Sequence, residues 1–166
     1  DLHKALIRRE VDVAFARPTL EDPEFVTRKL IDEPLIVAAP DTLEVPEGGK
    51  IDLSQFVNEN FILYPEFPRP CYADFVLGLC NNAGIEVKNR VFTMDLQTSL
   101  SLVAIGEGIC IVPASVGSAP RNGIRFYDID PELGTTTLSI NHRVDEQGVH
   151  VHKFTKIAQD VARKAA

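Results

Sequence analysis

The sequence predicts an α/β fold, and three observations carry that expectation. Apolar residues switch repeatedly between the two-residue period of a strand and the longer period of a helix. The two kinds of segment alternate along the chain, the order that crossover connections produce, which implies largely parallel pairing with helices covering the sheet. The 166 residues, 45% apolar and 25% charged, suffice for one full-sized domain or two small lobes with a real core.

The opening DLHKALIRRE is charged throughout, unlike a secretory signal, and reads as the interior of an amphipathic helix with Leu2, Ala5 and Leu6 on its apolar side. In VDVAFAR the period changes. Val11, Val13 and Phe15 alternate with Asp12, Ala14 and Ala16, the pattern of a strand with one buried face. The prolines and acids of residues 17 to 23 make a turn; FVTRKL and PLIVAAP are two further strand-like runs separated by Asp32-Glu33-Pro34. A Pro- and Gly-rich loop follows over 41 to 50, then one short helical turn from Asp52 to Phe56. FILY, 61 to 64, is a strand by its β-branched and aromatic content, and it ends at Pro65 in the stiff loop EFPRP.

A helix from about Cys71 to Ala83 places Tyr72, Phe75, Val76 and Leu79 on one face and stops at Gly84. RVFTM is a strand; Asp95 then caps a helix that carries Leu96, Leu100 and Val103 together. Gly106-Glu107-Gly108 after that helix superficially resembles a phosphate-binding glycine loop. Such loops lie between a strand and the N-terminus of a helix, whereas here the order is helix, glycines, strand, so the glycines meet a helix C-terminus whose dipole disfavours phosphate. They are read as a cap and a tight turn into the strand ICIV. The N-terminus of the same helix, at Gln97 and Thr98, is the place where a carboxylate can sit. Pro113 leads into a short helix starting near Ser115; IRFYDI and TTTLSINHR are late strands, and residues 149 to 165 form a closing helix packed through Val151, Phe154, Ala158 and Val161.

Several functions are disfavoured by residue type and spacing. A net charge of -7 argues against direct grip on DNA by this chain, because phosphate contact requires clustered Lys and Arg. No apolar run approaches the roughly 20 residues of a membrane span. Cys71, Cys80 and Cys110 are odd in number and lack metal or CxxC spacing, which fits free thiols in a cytoplasmic protein. His150 and His152 diverge on a helix and cannot share a metal; Ser115 is not in a G-x-S-x-G elbow; Glu132 and Asp130 lie in a solvated turn. Cys71, at a helix N-terminus, has a site for a lowered pKa but no partner base. No catalytic residue, metal or cofactor is therefore expected, and the chain is not read as an enzyme.

The run MDLQTSLSLVAIGEGICIVPASV, with VDVAFARP and EPLIVAAP upstream, resembles the effector-binding domain of LysR-type transcriptional regulators over essentially the whole chain. The loop ILYPEFPRP is further similar to the subgroup that governs benzoate, muconate and chlorocatechol catabolism. The resemblance implies two Rossmann-like α/β lobes joined by two crossover strands, like type II periplasmic binding proteins. One lobe would comprise 1–34 plus 114–166 and the other 35–113, with crossings at Asp32-Glu33-Pro34 and at Pro113. Relative to that family, the chain lacks a DNA-binding head and begins inside what would be the first helix, without the first strand.

The same resemblance implies a small anionic effector held between the lobes. Its contacts would come from Arg17, Pro18 and Thr19, from Thr27 and Arg28, from Tyr64, Pro65, Phe67 and Arg69, from Gln97 and Thr98, and from Pro113 to Val116 including Ser115. A muconate or aromatic acid needs fixed donors at its ends and apolar walls between. Implied partners are a homodimer or tetramer, with DNA reached only through a helix-turn-helix outside this chain and no membrane association. The alternatives are a solute-binding protein of a transporter with the same fold, and a two-lobed enzyme that would need a reactive side chain at the cleft.

Overall fold

The computed structural model describes residues 2–44 and 51–165, so part of the loop expected over 41 to 50 lies outside the described residues. The first elements are α1 (Leu2–Ile7), β1 (Ala14–Ala16), β2 (Phe25–Pro40), β3 (Phe61–Leu63), α2 (Tyr72–Asn82) and β4 (Arg90–Phe92). There follow α3 (Leu96–Ala104), β5 (Cys110–Pro113), β6 (Ile124–Asp128), β7 (Thr135–Arg143) and α4 (Val149–Ala165). The break expected at Asp32-Glu33-Pro34 is absent, and β2 runs through it as one strand. Pro34 stands one residue before the antiparallel ladder to β5, which begins at Leu35, so that ladder does not need the missing N–H.

Two compact units divide the chain. One consists of Asp1–Glu33 with Thr136–Ala166, the other of Pro34–Thr135. The second passage thus lies at Thr135–Thr136 and not at Pro113. The cause is β6, which pairs antiparallel with β2 from Ile36↔Asp128 to Pro40↔Ile124 and so holds residues 114–135 in the second unit. Pro113 itself ends β5 in register with Leu35.

In the second unit β2 is covered on both faces, which accounts for its continuous apolar run. Leu35, Val37 and Ala39 face a core shared with Tyr72, Ala73, Val76, Leu79 and Cys80 of α2; Ile36 and Ala38 face Leu100 and Val103 of α3. The predicted crossover β3-α2-β4 is present, with β3 and β4 parallel from Phe61↔Arg90 to Leu63↔Phe92. Isolated parallel bridges at Ile51↔Ile129 and Phe61↔Ile109 follow the same expectation of parallel pairing, whereas β2 meets both β5 and β6 antiparallel and β1 meets β7 antiparallel.

Gly106 and Gly108 have the structural roles read from their position. Gly106 sits at φ +87 just beyond α3, and Gly108, at φ +154, passes so close to Asn60 that a Cβ would stand 2.2 Å from its carbonyl oxygen. Backbone bonds from Ile109 N to Asn60 O (2.9 Å) and from Ile62 N to Ile109 O (2.8 Å) then lead the chain into the core beside β3.

In the first unit Leu6, Ala14 and Phe25 form the apolar centre, with Val11 and Leu20 packed against them. Here β1 inverts the expected burial. Ala14 and Ala16 are buried while Phe15 is exposed and meets Phe154 edge-on, because the backbone carbonyls of Ala14 and Ala16 accept bonds from Asn141 and Ser139. The buried Arg143 on β7 ties the start of the chain down by donating to the carbonyls of Leu6 (3.0 Å) and Val11 (2.8 Å) and to the Asp12 carboxylate (2.9 Å). On α4 the packed side is Val151, Thr155 and Ala162; Phe154 and Val161, expected inside, are exposed.

Candidate functional site

The structure gives the residues that the sequence places at a ligand site the following surroundings. In the first unit Arg17 follows β1 and its Nη2 is paired with Glu33. Its Nη1 is buried without a partner among the described residues. Pro18 is half-buried in the same turn. Thr27 is not free, since its hydroxyl donates to the Leu20 carbonyl at 3.1 Å and fastens the turn to β2. Arg28 lies on β2 as expected, with its side chain exposed.

In the second unit Tyr64 stands 5.2 Å from Tyr72, ring to ring, and Tyr72 in turn lies 5.8 Å from Phe75, so an aromatic row runs from the end of β3 along α2. The Pro65 carbonyl accepts from the Cys71 thiol at 3.1 Å. Phe67 is 62% exposed. Arg69 is clamped: Nε donates to Asp74 Oδ2 at 2.7 Å, Nη2 bonds Oδ1, and the guanidinium lies 5.4 Å from the Phe92 ring centroid. Asp74 also accepts from the Cys71 backbone N–H at 2.8 Å, capping α2. The paired guanidinium holds the Asp74 carboxyl below its ordinary value.

At the start of α3 the expected cap is present and is more complete than sequence reasoning allowed. Asp95 Oδ1 accepts from Thr98 N and Oδ2 from the Thr98 hydroxyl, both at 2.9 Å. These bonds, the backbone one foremost, lower the Asp95 pKa. An incoming carboxylate therefore meets a turn whose Thr98 donors are already engaged by the chain's own carboxylate. Gln97 is held by Arg121, whose Nη1 donates to its Oε1 at 3.0 Å.

Thr93 links these parts. Its carbonyl accepts from Glu66 N in the loop at 2.7 Å, its N–H donates to Leu63 O, and its hydroxyl lies 2.7 Å from that of Ser99 on α3. The structure thus brings the 64–69 loop and the first turn of α3 together within one unit. Pro113 is buried in β5, and Ser115 is exposed in a 3-10 turn, Ala114–Ser118, whose N-cap position is Pro113. Ser115 thus lies inside the turn, one residue after its start at Ala114.

Thr93, Ser99 and Arg121 were not read from the sequence. Thr93 ends the short run Arg90-Val91-Phe92, and Ser99 stands among Gln97, Thr98 and Ser101, so nothing in the sequence marks the two as a buried pair or connects Arg121 with Gln97. The expected lowering of the Cys71 pKa is reversed, because desolvation dominates and raises it. His150 and His152 reach different neighbours, His150 near Asp12 and His152 on the Glu146 carbonyl at 3.1 Å, as their helical spacing required.

Two α/β units threaded by one long strand, with polar loops converging at the start of a central helix, define a ligand-binding domain of the type II periplasmic-binding-protein class. Residues 1–163 match the family model described as the LysR substrate binding domain, and the chain belongs to that family. It is 32% identical over 157 residues to the transcriptional regulator CatR of Pseudomonas putida, covering 94% of this chain and 54% of CatR. The effector binding domain of a BenM variant superimposes with a TM-score of 0.88 at 25% identity, covering 99% of this chain and 77% of that one. The BenM domain solved with its effector benzoate gives a TM-score of 0.83, also at 25% identity, with 99% and 75% covered. The chain spans about half the length of the curated relatives it matches. Those relatives are named as transcriptional regulators.

Proposed function

We propose that the chain is the effector-sensing part of a LysR-type transcriptional regulator and that its ligand is a small aromatic or muconate-type carboxylate. The observation that carries this reading is the family match along nearly the whole chain, and benzoate as the effector of the similar BenM domain supports the ligand class. The contacts proposed are those named from sequence, with Tyr64 and Phe67 as apolar walls and Arg17, Arg28 and Gln97 as the donors best able to meet a carboxylate. Arg69 and Thr98 act behind them, Arg69 fixing the loop on α2 and Thr98 completing the α3 cap.

Sensing requires no bond to break. A ligand shifts the population of two arrangements only by its differential affinity for them. In the longer protein this shift would reach DNA through a helix-turn-helix outside residues 1–166, in a cytoplasmic homodimer or tetramer. The test is calorimetry and thermal denaturation of the full chain with benzoate and cis,cis-muconate. A ligand present at a hundred times its Kd should stabilise the protein by about 2.7 kcal/mol. No stabilisation and no heat with either compound would reject the ligand class.

A further inference from the structure

We propose that Arg121 is a specificity-determining positioning residue: it fixes the amide of Gln97 so that this side chain offers the ligand donors only, which selects an acceptor oxygen over an amide or amine nitrogen. The inference rests on the effector-binding reading above and goes beyond it in naming what sets the polarity of one contact.

An unconstrained glutamine can present either its oxygen or its nitrogen, and so discriminates poorly between acceptor and donor groups. Arginine carries donors and no acceptor, so the Gln97 atom 3.0 Å from Arg121 Nη1 is the amide oxygen. With Oε1 held, Nε2 and its two N–H groups are turned the other way, and no protein acceptor engages them among the described residues. The neighbouring Thr98 hydroxyl gives its one hydrogen to Asp95, leaving only lone pairs. Gln97 is therefore the side chain of this turn that supplies donors.

Two features hold Arg121 itself. Its Nε is shut off from water, which restrains the root of the guanidinium, while the Nη1 bond to Gln97 lies at the surface. Two residues on, Gly123 at φ +78 comes so close to α3 that a Cβ would stand 2.7 Å from the Ala104 carbonyl oxygen. The turn is closed by Ile124 N donating to Arg121 O at 3.3 Å. Gln97 and Ala104 are about 10 Å apart along the helix. The segment is thus anchored at the end of α3 while the Arg121 side chain reaches back to its first turn.

The experiment is calorimetry of the full chain with benzoate and benzamide, which share a ring and differ in replacing one acceptor oxygen by an NH2 donor. The wild type should favour benzoate. Arg121→Met should lower the benzoate-to-benzamide affinity ratio about tenfold, the worth of one hydrogen bond to a charged group, because the released amide can turn its oxygen to benzamide. Arg121→Lys, which keeps a donor for Gln97 Oε1, should restore most of the ratio. Gln97→Met, with Arg121 intact, should lose it as well. If Gln97→Met retains the ratio, the guanidinium charge alone does the selecting and the inference is wrong. An equal loss of both ligands in Arg121→Met also overturns it, since that is what a merely structural arginine would do. Wild-type protein that binds neither compound removes this inference, and if cis,cis-muconate is also unbound the effector reading falls with it, whereas tight benzoate binding with an unmoved ratio removes the inference alone.

Discussion

The hydroxyls of Thr93 and Ser99 lie 2.7 Å apart, both side chains buried, at the junction between the 64–69 loop and the start of α3. The Asp95 carbonyl lies within reach of both, 3.2 Å from the Thr93 hydroxyl and 3.1 Å from that of Ser99, so one hydroxyl donates to the carbonyl while the other donates either to it or to its neighbour. Replacing either by an apolar residue leaves its partner one bond short in a place water does not reach. Ser99→Ala should therefore cost about 1 to 3 kcal/mol in chemical denaturation, and Thr93→Val a similar amount. The double variant should lose less than the sum of the two, because removing both groups leaves no orphan. Strict additivity would mean that the two hydroxyls do not interact in solution.

Arg69 and Asp74 predict a pH dependence. The Asp74 carboxyl titrates below its ordinary value of 3.8, first because Arg69 donates to it, with Cys71 N–H adding a further bond. A carboxyl depressed in the native state stabilises the fold above its unfolded pKa, and that contribution disappears as pH falls through the lower native value. In Arg69→Ala the Asp74 resonance followed by NMR should titrate closer to 3.8, and the acid limb of the stability curve below about pH 4 should become shallower. Because both side chains are about one-third exposed, solvent screens the pair and the stability change should be small beside the shift in titration. An Asp74 titration identical in both proteins would mean the clamp is not formed in solution.

The two glycines after α3 should differ sharply on substitution. Gly106→Ala meets no atom within 4 Å and carries only the conformational cost of a positive φ, about 1 to 2 kcal/mol. Gly108→Ala combines an unfavourable φ with a Cβ 2.2 Å from the Asn60 carbonyl oxygen, so backbone must move. Its cost should be about 3 kcal/mol or more, read as a lowered denaturation midpoint. Equal costs would show that the turn relaxes freely away from β3.

Much of this architecture was legible because local rules and tertiary packing agree. The helices α2 and α3, the Asp95 cap and the role of the glycines follow from periodicity and from which end of a helix each residue occupies. Where packing chooses between two plausible faces, the pattern misleads. On β1 the alternation of Val11, Val13 and Phe15 pointed to the larger side chains, yet bonds from Ser139 and Asn141 fix the alanine face inward. On α4 the apolar residues form two stripes, and only the one through Val151, Thr155 and Ala162 is buried. At the candidate site the residue types were readable and their commitments were not. Arg69, Thr98 and Gln97 are each held by a partner, and the partner of Gln97 lies 24 positions away with no pattern linking the two.

Thiol chemistry tests the core of the second unit directly. Burial pushes Cys80 up to about 11 and Cys110 up to about 12, and desolvation likewise raises Cys71 despite its place at the start of α2. A helix N-terminus ordinarily favours the thiolate. Here the Cys71 sulfur is 3.1 Å from the Pro65 carbonyl and 3.5 Å from the Asp74 carboxylate, two acceptors that favour the protonated thiol. Since only the thiolate attacks an alkylating reagent, native protein at pH 8 should be labelled slowly at Cys71, and at Cys80 and Cys110 only as fast as the protein unfolds. In denaturant all three should react alike. Mass spectrometry of peptides from a timed iodoacetamide reaction separates the sites. Cys71 reacting faster in the native state than in denaturant would show that the helix terminus prevails over desolvation and over those two oxygens, and that the 64–69 loop is not closed on α2 as described.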